Sequence, residues 1–387
     1  AGFRAAGVAA GLKRSGARDV GLLVSDTPDT VSAARFTRSG MLAAPVLLTR
    51  ERCRLDGLRA VVVNAGNANA ATGRRGLEDA ARMQGAGSMA AGVPEDRVAV
   101  ASTGVIGVPL DTDKVIRGIS DARRELDEDA ETFGEAIRTT DAFAKSAALE
   151  VALPSGTVRL CAQAKGAGMI SPAFATMLCF VETDAALAPE TADLLLGVCV
   201  KRSFDRISVD GQLSTNDTAI LMASGASGVR IAPESDDELQ FGEALDMLLR
   251  RLAVLMVRDG EGARRVARVG VHGGHEETVV RAARAVADSP LVKAALHGGD
   301  PNWGRIAAAV GAVLHDGVPV PLDIWIEGVQ VCSGGAVVPY DEPALAAAVA
   351  GDEVEYTVGL PGEGADAEVF FSDLSHEYVT INAEYTT

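Results

Sequence analysis

The sequence predicts an α/β protein in which a two-layered sheet is covered by helices. Three observations carry this expectation. Short apolar runs alternate with helical stretches through the first half of the chain. Apolar residues make up 48% of the sequence but aromatics only 4%, so the core must be built from Ala, Val and Leu. Such a composition suits close packing of helices on sheets. The 387 residues can fill one large domain or two ordinary ones, and no internal repeat or low-complexity linker divides them.

In order along the chain, residues 20–24 and 60–64 read as strands, the second running into Asn64-Ala65-Gly66-Asn67-Ala68-Asn69. Residues 73–87 and 112–144 have helical period and good helix formers. Strands are expected at 158–164 and 177–183, joined by a loop holding Gly166, Gly168 and Pro172. Residues 188–203 predict a helix opened by Pro189 and Glu190, with Leu194, Leu195, Val198 and Cys199 on its apolar face. Strands at 207–209 and 218–223 flank a polar turn, and 243–258 and 277–287 are further helices. From 318 to 354 Pro and Gly become more frequent, and the regular alternation is expected to end there.

Charge narrows the function. With 53 acids against 36 bases the formal balance is −17, a field that repels nucleic acid and anionic membrane. Neither is an expected partner, and an anionic substrate must rely on local cations. No apolar stretch reaches the roughly 18 residues of a membrane span, and the glycine-broken start lacks a signal-peptide core. The five cysteines are scattered without zinc or redox spacing, so a disulfide framework is not expected and a reducing compartment is. The reading is of a soluble, cytoplasmic protein.

Thr176 raises the chemical question. It stands between Ala175 and Met177, at the head of the run Met177-Leu178-Cys179-Phe180-Val181. It is either a β-branched strand opener or a nucleophile. A threonine hydroxyl needs a base, and cutting the Ala175–Thr176 bond would free one on the same residue. The released α-amine titrates at about 7.7–8.0, so it is partly neutral at working pH.

Ser102-Thr103-Gly104-Val105-Ile106-Gly107 is either a strand-ending turn or an oxyanion site made from a hydroxyl and a glycine N–H. Lys165, 11 residues ahead of Thr176, is a solvated strand end or a cation brought to the same mouth by a hairpin. Asp259-Gly260-Glu261-Gly262 is an acidic helix end or supplies Glu261 to a substrate amine. His272 and His275 lack a third ligand at recognisable spacing, so no metal site is expected. There is no Gly-x-Ser-x-Gly, Walker A loop or dinucleotide fingerprint, which removes the common hydrolase and nucleotide readings.

The chain resembles the ornithine acetyltransferases (glutamate N-acetyltransferases) of arginine biosynthesis. The resemblance is carried by Lys165-Gly166-Ala167-Gly168-Met169-Ile170, Ala175-Thr176-Met177-Leu178 and the two motifs at 64–70 and 102–107. Thr139-Thr140-Asp141, Ser214-Thr215-Asn216-Asp217-Thr218, Asp259-Gly260-Glu261-Gly262-Ala263 and Asp300-Pro301-Asn302-Trp303-Gly304-Arg305 extend it. Ile381-Asn382-Ala383-Glu384-Tyr385-Thr386-Thr387 ends it. The chain departs from the family pattern at Ala173-Phe174, at Gln212-Leu213 and at Ala142-Phe143-Ala144-Lys145.

The resemblance implies an αββα sandwich like that of the N-terminal-nucleophile hydrolases, with distinct connectivity and a smaller α/β domain roughly within 240–345. It implies self-cleavage into an α chain, 1–175, and a β chain, 176–387, that begins with the nucleophile and assembles as an (αβ)2 heterotetramer. Thr103 and Gly104 carry over as the oxyanion hole. Thr140, Lys165, Thr176, Glu261, Asn382 and Thr387 carry over as substrate-binding positions. The implied activity moves an acetyl group from N2-acetylornithine to glutamate through an acetyl-threonine, with no cofactor and no metal; acetyl-CoA as an alternative donor is left open. The competing readings are a self-cleaving amidohydrolase or aminopeptidase of related fold, a paralogue using the same chemistry in specialised metabolism, and an uncut binding module.

Overall fold

The computed structural model describes residues 1–171, 177–314, 317–362 and 364–384. Two sheets face each other across a shared core. The first holds β1 (Phe3–Val8), β2 (Val20–Ser25), β4 (Ala60–Asn67) and β5 (Val98–Val105) in the order β1-β2-β4-β5. The second holds β3 (Val31–Phe36), β10 (Thr218–Ala223), β8 (Leu178–Thr183), β7 (Gly156–Lys165) and β6 (Lys145–Leu153) in that order, with only β8 and β10 parallel.

The period-2 alternation of a strand explains the layering. Leu23, Val61, Val63, Ala99 and Ala101 meet Leu178, Phe180, Ile220 and Met222 between the sheets. Their neighbours Leu22, Val24, Val62, Val98 and Val100 point the other way, onto α1 (Ala44–Arg52), α2 (Gly73–Ala91) and α3 (Thr112–Arg124). Cys179, Val181, Ala219 and Leu221 likewise face α5 (Pro189–Arg202) and α6 (Asp236–Arg258). Both faces of each central strand are buried, which is why these strands read as continuous apolar runs. The short α4 (Glu131–Ala136) closes one end, its Phe133 meeting Phe180 edge-on at 5.5 Å. This is the expected αββα sandwich.

A third sheet forms the smaller α/β unit. Its strands are β9 (Ile207–Ser208), β11 (Val266–His272), β12 (Asp323–Ile326), β13 (Val329–Ser333), β14 (Ala336–Val337), β15 (Glu353–Gly359) and β16 (Asp366–Ser372). The helices α7 (Glu276–Asp288), α8 (Pro290–Gly298) and α9 (Trp303–Val313) share its core, with α10 (Glu342–Ala348) beside them. The last helix is α11 (His376–Glu384).

Four expectations need correcting. The smaller domain, expected roughly within 240–345, reaches further along the chain: its core runs from Ala267 to Phe371 and β9 adds an edge strand, whereas α6 packs its Leu245, Leu248, Leu249 and Leu252 against the sandwich. The stretch 112–144 is not one helix, because Asp127 leaves α3 to form a β-bridge with Ala5. The apolar face of α5 is Ala192, Leu196, Cys199 and Val200, while Leu194 and Val198 are exposed. This helix is apolar on two sides, and Gly197 leaves room for the Arg35 guanidinium of β3, which reaches Asp193. Finally, the Pro- and Gly-rich stretch 318–354 continues the sheet: Glu327-Gly328 and Gly334-Gly335, all at positive φ, are tight hairpin turns.

Candidate active site

The oxyanion candidates sit at the end of β5, beside the bulged end of β4. Gly104 has φ +131, and a Cβ there would stand 2.3 Å from the Gly66 carbonyl carbon, so only glycine fits. The asparagines of 64–69 hold this corner. Ser102 donates to Asn64 Oδ1 at 2.6 Å, Asn64 donates to the Asn67 carbonyl at 2.9 Å, and the Asn67 side chain accepts from Asn69 N–H at 2.7 Å.

Lys165 ends β7 and is buried. Its Nζ donates to Thr139 Oγ1 at 2.8 Å and to Thr103 Oγ1 at 3.2 Å. Since the Thr103 hydroxyl accepts from the ammonium, its own hydrogen stays available to a substrate oxygen. Burial draws the Lys165 pKa down, and Asp141, with Nζ–Oδ2 4.0 Å, opposes that shift. The expected Thr140 is half-buried beside this pair, but the hydroxyl that meets Lys165 is that of Thr139.

Asp141 is the hub beneath. It accepts from Gly166 N–H at 2.7 Å, Thr139 N–H at 3.0 Å and Lys145 Nζ at 2.7 Å. Lys145 also reaches Asp259 at 2.5 Å. One buried ammonium thereby ties together the Thr139 turn, the Lys165–Gly166 strand end and the loop that carries Glu261.

Glu261 lies over the glycine loop. Its N–H donates to the Ala167 carbonyl at 2.8 Å, and a Cβ on Gly168 would stand 2.6 Å from its carboxyl carbon. Asn382 of α11 donates to Glu261 Oε2 at 2.8 Å. Asp210 anchors the rest of the loop by accepting from Met169 and Ile170 N–H at 2.7 and 3.0 Å.

Ala175, Thr176 and Thr387 lie outside the described residues. The residue that follows Thr176 is firmly placed. Met177 N–H donates to Asp217 Oδ1 at 3.0 Å, and its carbonyl accepts from Thr218 N–H at 3.0 Å. In the β7–β8 register Lys165 stands opposite Leu178. The neighbouring Asn216 donates to the Ser102 and Ala68 carbonyls at 2.8 and 2.7 Å. The pair Asn216–Asp217 therefore bridges β5 to the segment that leads into β8. Burial pushes the Asp217 carboxyl well above the usual carboxylate range, with the Met177 N–H pulling back.

The structure thus brings Thr103, Lys165, Glu261 and Asn382 around one loop. Asp141, Lys145, Asp259, Asn216 and Asp217 complete the site without having been singled out individually. They lie in polar stretches without a local signal of their own, and Lys145–Asp259, Asp217–Met177 and Asn216–Ser102 are contacts between residues remote in sequence.

The profile of the ArgJ family matches residues 4–387. The chain belongs to the ArgJ family. The arginine biosynthesis bifunctional protein ArgJ of Symbiobacterium thermophilum is 44% identical over 392 residues, spanning 100% of this chain and 97% of its own. The ArgJ protein of Thermus thermophilus is 43% identical over 390 residues, spanning 100% and 98%.

Among solved structures, the ArgJ protein of Bacillus halodurans matches 52% of this chain and 96% of its own at 32% identity and a TM-score of 0.49. An ornithine acetyltransferase from Mycobacterium tuberculosis, complexed with ornithine, matches 46% of this chain and 93% of its own at 38% identity and a TM-score of 0.42. Among the described residues of this ArgJ-family chain no cluster of His, Cys, Asp and Glu is arranged to hold a metal ion. Nor is any described helix long and apolar enough to cross a membrane.

Proposed function

We propose that this protein transfers an acetyl group from N2-acetylornithine to glutamate through an acetyl-Thr176 enzyme, after cutting its own chain between Ala175 and Thr176. The observation that carries the reading is the Thr103–Lys165–Thr139 chain of hydrogen bonds, next to Glu261 and to the anchored Met177. A hydroxyl free to donate, a buried cation and a half-buried carboxylate match an oxyanion, a carboxylate and an ammonium.

In the first step Thr176 Oγ attacks the Ala175 carbonyl, moving the acyl group from nitrogen to oxygen. Water hydrolyses that ester, leaving a carboxylate on Ala175 and a free amine on Thr176. The amine then takes the proton of its own Oγ as the oxygen attacks the acetyl carbonyl. Thr103 O–H and Gly104 N–H face the oxyanion. The proton passes to the departing ornithine amine, and the amine of glutamate then attacks the acetyl-threonine and restores the hydroxyl. Lys165 faces the α-carboxylate that both substrates share, and Glu261 faces the distal ammonium that only ornithine carries.

No cofactor enters this scheme. Acetyl-CoA is a second donor to be tried in the same assay. The cleaved chains are read as an (αβ)2 assembly working in the cytoplasm.

Intact-protein mass spectrometry tests the proposal. Purified protein should appear as chains 1–175 and 176–387. N2-acetylornithine should add one acetyl group to the second chain, and glutamate should remove it. A single uncut species that still transfers acetyl groups would overturn the mechanism.

A further inference from the structure

We infer that the cavity behind the oxyanion strand is the subsite for the distal carboxylate of the acyl acceptor, with Lys13 and Arg14 as its counter-charges. The inference rests on the acetyl-transfer reading above and adds what sets the acceptor apart from the donor.

A cavity of about 410 Å³ is bordered by Thr139 and Gly66, and it gathers Lys13, Arg14 and Lys114 against a single acid, Asp111. In a chain with a formal charge of −17 such a concentration of bases is unusual. Asp111 is already engaged: it caps α3 by accepting from Lys114 N–H and stands 3.6 Å from Lys114 Nζ. Among the described residues neither Lys13 nor Arg14 belongs to an ion pair. Lys13 Nζ donates to the Arg18 and Ala136 carbonyls, which uses two of its three N–H bonds and leaves one. Burial lowers its pKa to about 8, with Asp19 and Asp141 opposing the shift and Lys165 and Arg138 adding to it, and an arriving anion would recover part of the desolvation cost.

The cavity reaches the reaction centre from two sides. The stem of Lys13 lies over Gly66, where a Cβ would stand 3.3 Å from Lys13 Cγ, and Gly66 in turn abuts Gly104. On the other wall Thr139 accepts from Lys165, which also donates to Thr103. The chemistry requires such a second pole. N2-acetylornithine ends in an ammonium and glutamate in a carboxylate, so one fixed charge cannot favour both, and Glu261 repels the second. A separate cationic pocket, offset from Glu261, lets one site accept both in turn.

The test separates the half-reactions of the purified enzyme. Acetyl-enzyme formation is followed by mass spectrometry, and deacylation is measured with glutamate and with glutamine, which keeps the shape but loses the charge. Lys13→Met should raise KM for glutamate about 10-fold or more, the size of a lost hydrogen bond to a charged group. It should leave the glutamine KM and the rate of acetyl-enzyme formation unchanged. Arg14→Gln should act in the same direction, and it serves if Lys13→Met fails to fold. Equal changes for glutamate and glutamine, or none for glutamate, overturn the inference. If wild-type enzyme never becomes acetylated, the functional reading fails instead. Calorimetric binding of glutamate against glutamine to wild type and Lys13→Met then still decides the subsite.

Discussion

Strands β7 and β8 bury polar side chains at both ends, and the two ends treat charge in opposite ways. Next to Thr103, Lys165 lies among Asp141, Lys145 and Asp259. Burial alone would raise the Asp141 pKa, yet Lys165 and Lys145 hold it well below the usual carboxylate range. At the far end Glu182 lies against Gln163, whose amide reaches it at 3.3 Å. Glu182 Oε1 and Gln163 Oε1 have no hydrogen-bond partner among the described residues, and burial pushes Glu182 up to about 8. The contrast lies between two carboxylates: two ammonium groups hold Asp141 ionised although burial raises the pKa of its neighbours Asp217 and Asp259, and no cation does so for Glu182.

The sharpest way to break this contrast is Lys145→Met. The variant removes the ammonium between Asp141 and Asp259 and leaves two acids facing a loss of compensation. Breaking a buried pair in this way costs about 3–5 kcal/mol, and it should also cost acetyl transfer because Thr139, Gly166 and Glu261 lose their common anchor. Denaturant unfolding reads the first effect and turnover the second. A variant with wild-type stability would show that the cluster is not held by its charges.

Thr103→Ala comes next. It removes the hydroxyl proposed to face the oxyanion and one acceptor from Lys165, so turnover should fall by about 10²–10³ with melting little changed. Acetyl transfer at the wild-type rate would move the oxyanion site elsewhere.

How much of this was legible in the sequence follows from where each constraint resides. Gly104 and Gly262 admit the backbones of Gly66 and Tyr378, Gly168 makes room for the Glu261 carboxyl, and Thr103 and Glu261 stand next to the first two in the chain. Such sites announce themselves in short motifs. The sandwich was legible because its central strands are apolar on both faces. Lys145 was not legible as a hub: its partner Asp259 is 114 residues away, and nothing local distinguishes it from a solvated lysine at a strand start. Asp217 is similar, since its role depends on Met177, 40 residues earlier. The apolar face of α5 failed for another reason, namely that periodicity cannot choose between two apolar stripes when packing against β3 decides.

The smallest expected effect probes the other end of the comparison and has the opposite sign. Glu182 has a folded-state pKa of about 8 against a model-peptide value of 4.5. Between these values the folded protein holds a proton that the unfolded chain has released. Stability therefore declines as pH rises from about 4.5 to about 8 and is flat in this respect above. Glu182→Gln removes the ionisation while keeping the shape and a hydrogen-bonding amide. It should stabilise the protein by on the order of 1 kcal/mol at pH 8, less than the full linkage of about 1.4 kcal/mol per pKa unit. The reduction comes from the adjoining cavity of about 240 Å³, which brings Glu182 to a wall shared with Arg4, Arg159, Glu128 and Asp184, although Arg4 pairs with Asp26 and Arg159 with Glu150. Unfolding curves at pH 5 and pH 8 decide the matter. The gap between variant and wild type should open with rising pH; parallel curves would mean that Glu182 is ionised in the folded state and that the two ends of the sheet do not differ as described.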